Sequence, residues 1–222
     1  MTTPRTLGQK HHYKNYIDGH WVESSSGKHT PNINPANIDD IIGYAQQSTR
    51  EEAKAAIEAA KAAFPAWRDT PAPARGRIIA KAVQLCHERK EEIARVMTRE
   101  EGKTLSESRG EVQKSINLLE YYAGMSFRIE GRTSPSEMPN TFVYTIRQPL
   151  GVVSTITPWN FPLCIPVWKT APALVTGNTV VMKAASNTPG CAELLVKIYE
   201  DAGLPKGVLN LVYGSGGTVG DE

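Results

Sequence analysis

Asn160 has the neighbours that chemistry at a carbonyl would need. It stands in Thr157-Pro158-Trp159-Asn160-Phe161-Pro162, after an apolar run, Gly151-Val152-Val153-Ser154-Thr155-Ile156, that reads as a strand. An apolar stretch that reads as a helix follows, so the motif falls at a strand's carboxyl end, where open α/β sheets hold ligands. Pro158 and Pro162 each lock their own φ and restrict the residue before them. Such a turn can hold one carboxamide at a fixed point. Its NH2 can donate to an oxygen that gains negative charge as a nucleophile adds to a carbonyl, and one such donor is worth roughly 100- to 1000-fold in rate. The alternative is an Asx turn, in which the side chain serves only its own backbone.

Lys183 comes twenty-one residues after Pro162 and closes a second apolar run, Thr179-Val180-Val181-Met182-Lys183. A lysine at a strand terminus ordinarily faces solvent. Here it shares an edge with Asn160, where a dinucleotide would lie across the sheet. Gly214-Ser215-Gly216-Gly217-Thr218-Val219-Gly220 follows a third strand. A glycine-rich entry to a helix lets backbone approach a ligand, although many such turns are plain loops. No Gly-x-Gly-x-x-Gly follows the first strand, where Thr157-Pro158-Trp159-Asn160 takes the turn, so a dinucleotide is not held in the usual manner. Cys164 lies one helical turn past Asn160, and a helix N-terminus supplies part of what a reactive thiol needs. Its neighbours Leu163 and Ile165 read as packed helix, and Cys86, Cys164 and Cys191 are all expected to be inert buried thiols.

These residues need a scaffold, and the pattern from 152 onward supplies one. Strand, helix (about 163–176), strand (179–183), helix (about 188–202) and strand (208–212) make two βαβ units, hence a parallel sheet with right-handed crossovers. Upstream, Tyr16-Ile17-Asp18-Gly19-His20-Trp21-Val22 carries the Asp-Gly signal of a hairpin. Ser48-Thr49-Arg50-Glu51 has the form of a capping box, opening a helix over about 49–63 that Phe64-Pro65 closes. Amphipathic helices follow near 73–89, 90–102 and 105–126, with stripes such as Ile78, Ile79, Ala82, Val83 and Cys86. After the loop Gly131–Pro139, Thr141–Gln148 alternates as a strand.

Composition excludes more than it proposes. The 222 residues are 40% hydrophobic and 22% charged, ordinary for a soluble globular protein. Twenty-five basic against 23 acidic residues, net +2, give no case for nucleic acid or an anionic membrane. Three scattered cysteines match no metal knuckle or redox pair and point to a reducing cytoplasm. No apolar run reaches membrane-spanning length, and the first residues lack a signal-peptide core. His11-His12, in a polar tail, is expected to be solvated.

The segment Gly151–Lys183 resembles the core of the NAD(P)-dependent aldehyde dehydrogenase family. Asn15-Tyr16-Ile17-Asp18-Gly19-His20-Trp21 and Gly203-Leu204-Pro205-Lys206-Gly207-Val208-Leu209-Asn210 are similar to it as well. The resemblance implies an α/β fold, an incomplete aldehyde dehydrogenase fold with a helical N-terminal region ahead of a Rossmann-like parallel sheet. It implies a tail over 1–14, a hairpin and helical part over 15–130, an oligomerisation hairpin over 131–150 and an NAD(P)-binding core over 151–222. Asn160 would be the oxyanion donor. Thr157, Pro158, Trp159, Asn160, Lys183, Ala184, Ala185, Ser186, Gly216 and Gly220 would hold NAD or NADP, with Lys183 on the adenosine ribose. Many NAD-using members carry a glutamate where this chain has Ser186, a neutral donor that does not repel a 2′-phosphate. Trp168, by default a core tryptophan, would line the aldehyde tunnel, where succinate-semialdehyde-type members carry an arginine.

The family mechanism oxidises an aldehyde to a carboxylic acid. A cysteine thiolate attacks, the thiohemiacetal oxyanion is held, a hydride leaves to the nicotinamide, and a glutamate-activated water hydrolyses the thioester. This chain ends before the family's cysteine and glutamate, so alone it is expected to support no turnover. A homo-oligomer is implied for the complete form. The alternative is a truncated, non-catalytic cofactor-binding or assembly module using the 141–148 strand. A short-chain reductase is set aside, for the chain has neither its glycine fingerprint nor a Tyr-x-x-x-Lys pair.

Overall fold

The computed structural model describes residues 10–221. In chain order these form β1 (His11–Tyr13), β2 (Asn15–Ile17), β3 (His20–Val22), β4 (His29–Ile33) and β5 (Ile41–Gln46). Four helices follow: α1 (Arg50–Asp69), α2 (Ala72–Glu88), α3 (Lys90–Glu101) and α4 (Leu105–Met125). Then come β6 (Thr133–Ser134), β7 (Val143–Tyr144), β8 (Val152–Ile156), α5 (Cys164–Val175), β9 (Thr179–Lys183), α6 (Pro189–Asp201) and β10 (Leu209–Val212). A single wide helical turn, Gly216–Gly220, ends the described chain.

The main sheet has the order β3-β2-β10-β9-β8. Strands β8, β9 and β10 are parallel, as the βαβ pattern requires, and their register sets Ile156 beside Lys183 and Lys183 beside Val212. The β2–β3 hairpin adds antiparallel to β10, which makes the sheet mixed where a parallel one was expected. Its turn uses positive φ at both Asp18 (49°) and Gly19 (76°), the twist that a two-residue hairpin demands.

Side-chain alternation divides the sheet between two layers. Val180, Met182, Leu209 and Leu211 enter the large core shared with α2, α5 and α6. Val181 and Val212 pack on Ala53 and Ala56 of α1, and the Thr179 hydroxyl donates to Ala60 O at 3.0 Å. Where α1 and α5 end, Arg75 of α2 is buried and donates to Val175 O (3.0 Å), Arg68 O (3.2 Å) and Thr70 O. A guanidinium there satisfies last-turn carbonyls and meets the negative ends of two helix dipoles.

Several sequence expectations need correction. The capping box of α1 uses Thr49 and Glu52, one residue later than Ser48 and Glu51. Glu52 fixes that register because it also accepts from Ser24 Oγ (2.7 Å) and Ser25 N (2.6 Å), while Ser48 turns inward to Asn15 Nδ2 (2.8 Å). The helix runs through Pro65 to Asp69. An interior proline costs about 3 kcal/mol. Burial of Trp67, whose Nε1 donates to Leu174 O at 3.2 Å, offsets it.

The expected tail over 1–14 is partly structured. His11–Tyr13 pairs in parallel with β5, Tyr13 is buried, and His11 Nε2 lies 2.6 Å from Glu193 Oε2, so His11 is not simply solvated. Residues 1–9 lie outside the described residues. Within 141–148 only Val143–Tyr144 forms a strand, paired with β6, and both strands are exposed. The alternation there has no core among the described residues to point toward. No described helix is long and apolar enough to cross a membrane, and no group of three metal-ligating side chains occurs among the described residues.

Candidate functional site

The chain leaves β8 at Ile156 still tied to the sheet, since Thr157 N donates to Lys183 O at 3.2 Å and Thr157 is buried. It then turns outward. Pro158, Trp159, Asn160 and Phe161 are exposed, and Pro162 and Leu163 return to the interior. Among the described residues the Asn160 carboxamide makes no hydrogen bond, so it faces outward with both donors free and forms no Asx turn. Its backbone is held instead: Lys103 Nζ donates to Asn160 O at 3.1 Å and lies 4.6 Å from the Phe161 ring centroid.

Lys103 is itself held by two carboxylates. Glu111 Oε2 is 2.6 Å from its Nζ and Glu101 Oε2 is 3.0 Å away. Burial works against the ammonium, but the bonds from Glu111 and Glu101 outweigh it and raise the Lys103 pKa. The other oxygen of Glu111 accepts from Leu163 N and Cys164 N, each at 3.0 Å, capping the start of α5 with a buried negative charge.

The second crossover helix is held in the same way. Glu100, at the end of α3, accepts from Gly190 N (2.6 Å) and Cys191 N (3.0 Å) at the start of α6, and from Asn32 Nδ2 (2.6 Å). A Cβ at residue 190 would lie 2.7 Å from Glu100 Oε1, so any larger residue there would have to displace that carboxylate. Sequence reasoning missed both glutamates. The signal was present: Glu100 follows Ile93 and Met97 on one stripe of α3, and Glu111 shares a stripe of α4 with Ser115 and Leu119, a face that otherwise buries.

Lys183 belongs to a second cavity, of about 270 Å³, between α1 and the exposed face of β8. Ile57, Val152, Ser154, Ile156, Val181 and Gly220 are among its walls. Burial lowers the Lys183 pKa, and its Nζ donates to Ala184 O at 3.0 Å. Ala184 is buried, Ala185 half-buried and Ser186 exposed on the turn that follows. Gly220 closes over the row, its Cβ direction 3.6 Å from Ile156 Cδ1 and 3.8 Å from Lys183 Cδ, whereas Gly216 is exposed with open space about it.

The predicted residues thus fall into two neighbourhoods on the carboxyl side of the sheet. Lys183 and Gly220 share the apolar cavity. Asn160 and Phe161 share a more polar one, of about 480 Å³, with Lys103, Gly110, Glu111 and Lys114. Trp168 is 43% exposed, not a core tryptophan, and Lys114 Nζ stands 5.8 Å from its ring centroid. All three cysteines are free and buried; burial pushes Cys86 up to about 12 and raises Cys164 and Cys191, the opposite of a thiolate nucleophile.

The chain belongs to the aldehyde dehydrogenase family, whose profile matches residues 21–222. It is 50% identical over 201 residues to 2,5-dioxopentanoate dehydrogenase of Saccharolobus solfataricus, covering 90% of this chain and 42% of that protein. Against α-ketoglutaric semialdehyde dehydrogenase of Bacillus subtilis it is 47% identical, covering 96% and 44%. Among solved structures, an NADP-dependent enzyme of E. coli superposes with a TM-score of 0.93 at 39% identity, covering 95% of this chain and 44% of that one. Betaine aldehyde dehydrogenase of Staphylococcus aureus, in complex with NAD+, gives 0.91 at 38%, covering 94% and 42%. The chain therefore spans under half the length of these relatives, and its fold is the corresponding part of theirs.

Glu100 gives the site a pH signature. Burial pushes its carboxyl from 4.5 up to about 7, against the four hydrogen bonds, from the Gly190 and Cys191 backbone and the Cys191 and Asn32 side chains, that favour the anion. The folded state then holds the proton more tightly than the unfolded chain, so this stabilisation is complete below about pH 4.5 and is lost as pH rises to about 7. Urea midpoints should therefore fall over that window in the wild type relative to Glu100→Gln. A relative rise would show that the donors outweigh burial.

Proposed function

We propose that this chain is the cofactor-binding, oxyanion-donating part of an enzyme that oxidises an aldehyde to a carboxylic acid with NAD+ or NADP+. The observation that carries the reading is the Asn160 carboxamide, outward and unbonded on a turn whose backbone is pinned by Lys103. A donor with no internal partner is free for the oxygen that becomes negative during attack on a carbonyl.

The residues fit a dinucleotide. The apolar cavity beside α1 suits a flat aromatic base, and Lys183 at its wall offers an ammonium whose only bond among the described residues is to a neighbouring carbonyl. Lys183 would meet ribose hydroxyls, with Thr157, Pro158, Trp159, Ala184 and Ala185 forming the strand-end turns around it. Gly216 and Gly220 would let the last turn approach the base. Ser186 is exposed and neutral, so it leaves room for a 2′-phosphate without excluding NAD+. When bound, the nicotinamide accepts a hydride. The nucleophile must come from outside this chain's residues, for none of its cysteines has a thiolate-favouring environment.

Relatives named for semialdehydes support a substrate that carries a carboxylate. Trp168 carries no charge to pair with that group. Lys114, beside its ring and in the Asn160 cavity, is the cation on hand. The exposed apolar side chains of Phe142, Tyr144 and Ile146 support a further proposal, that the β6–β7 hairpin is covered by a second copy of the chain. Free buried cysteines accord with a reducing cytoplasm.

In the active enzyme, Asn160→Ala should lower kcat by roughly 100- to 1000-fold with either NAD+ or NADP+. An unchanged kcat would sink the oxyanion role. Lys114→Met should raise KM for a semialdehyde about tenfold, since a partly exposed charge-assisted contact is worth about 1.5 kcal/mol, and leave an uncharged aldehyde unaffected. Equal effects on both substrates would remove Lys114 from recognition. Tyr144→Glu should shift the enzyme to a smaller species in sedimentation, and an unaltered mass would exclude the hairpin from the interface.

A further inference from the structure

We propose that Lys103 is the positioning residue that aims the Asn160 carboxamide, with Glu111 holding Lys103 in place; the inference rests on the oxyanion reading of Asn160. An exposed asparagine on a turn has no packing of its own to fix its direction. The direction of its Cα–Cβ bond follows from its backbone, and that backbone is gripped at its carbonyl by the Lys103 ammonium.

The geometry leaves Lys103 little other work. Its N–H groups donate to Glu111 Oε2 at 2.6 Å and Asn160 O at 3.1 Å, and Glu101 Oε2 lies within ion-pair distance at 3.0 Å. Its side chain is 13% exposed and that of Glu111 is 1% exposed, so the pair is sequestered although it borders the cavity. An ammonium held between two carboxylates and a backbone carbonyl is a poor candidate for binding substrate or moving a proton. It is well suited to fixing a position.

The grip extends along the whole connection. Lys103 holds the carbonyl of Asn160 and lies over the ring of Phe161. Glu111 holds the N–H groups of Leu163 and Cys164. One Glu–Lys pair from the α3–α4 region therefore clamps the β8-to-α5 turn at residues 160, 161, 163 and 164. Prolines limit φ at two points of this turn, but they do not fix the peptide between Asn160 and Phe161. Lys103 does.

The test is a double-mutant cycle on kcat in the active enzyme. Lys103→Met keeps the apolar stem and removes the donors, and misplacement of a reacting group by about 1 Å costs on the order of 100-fold. A kcat loss of that order is expected, with nucleotide affinity, read by fluorescence titration, unchanged. In the Asn160→Ala background the same substitution should cause almost no further loss, because nothing is left to aim. Lys103→Arg should recover part of the activity and obey the same non-additivity, and it carries the cycle if the methionine variant does not fold. Full additivity, or a parallel loss of nucleotide binding, would overturn the positioning role and leave the dehydrogenase reading intact. If Asn160→Ala itself is without effect, both fall.

Discussion

A buried carboxylate that bonds simultaneously to a cation and to a helix start underlies the site. Glu111 is nearly inaccessible, and its charge is tolerable only because Lys103 sits on one oxygen and two backbone N–H groups on the other. Burying an unpaired carboxylate would cost several kcal/mol. The arrangement is reciprocal, since the N–H groups at a helix start have no intrahelical acceptors and would be costly to bury alone. Glu100 repeats the solution at α6, without a lysine, and its raised pKa marks the difference. Helices α3 and α4 therefore set where both crossover helices begin, and through them where the turns after β8 and β9 lie.

This explains why so much helix precedes so little sheet. A parallel strand carries a ligand only at its carboxyl end, and the geometry there depends on how the following helix is docked. In this chain docking is achieved by charge and hydrogen bonding at the helix starts and by Arg75 where α1 and α5 end. Apolar packing through Leu174, Leu195 and Tyr199 supplies cohesion between these points. Packing alone is not directional; the polar contacts define where each helix sits.

The elements that follow from local patterns were legible in the sequence. The Asp18-Gly19 hairpin, the spans of α3 and α4 and the three parallel strands came from turn chemistry, apolar stripes and the order of apolar runs and helices within short windows. The placement of Asn160 and Lys183 at one sheet edge followed from the βαβ order. What failed depended on distant partners. The start of α1 moved by one residue because Ser24 and Ser25 recruit Glu52, and its end moved because Trp67 finds Leu174. Glu100 and Glu111 looked like ordinary helix glutamates, since their partners lie 90 and 52 residues away in sequence. The two separate cavities were invisible for the same reason: they are made by α1 and α4, which no motif joins to the strand tips.

An oxyanion donor has to satisfy two opposed demands. It must be unbonded, to accept the reacting oxygen as its partner, and it must be ordered, because a mobile donor yields back in entropy what it supplies in electrostatics. A buried amide is ordered but is usually already bonded. In the role proposed for it, Asn160 separates the two demands between side chain and backbone. The carboxamide is free and exposed, while the carbonyl of the same residue is held at 3.1 Å by an ammonium that is itself held by Glu111. The order is imposed on the backbone of the residue whose side chain needs to stay free, and the cost of burying the clamp is met at Glu111, which also accepts from the first N–H groups of α5.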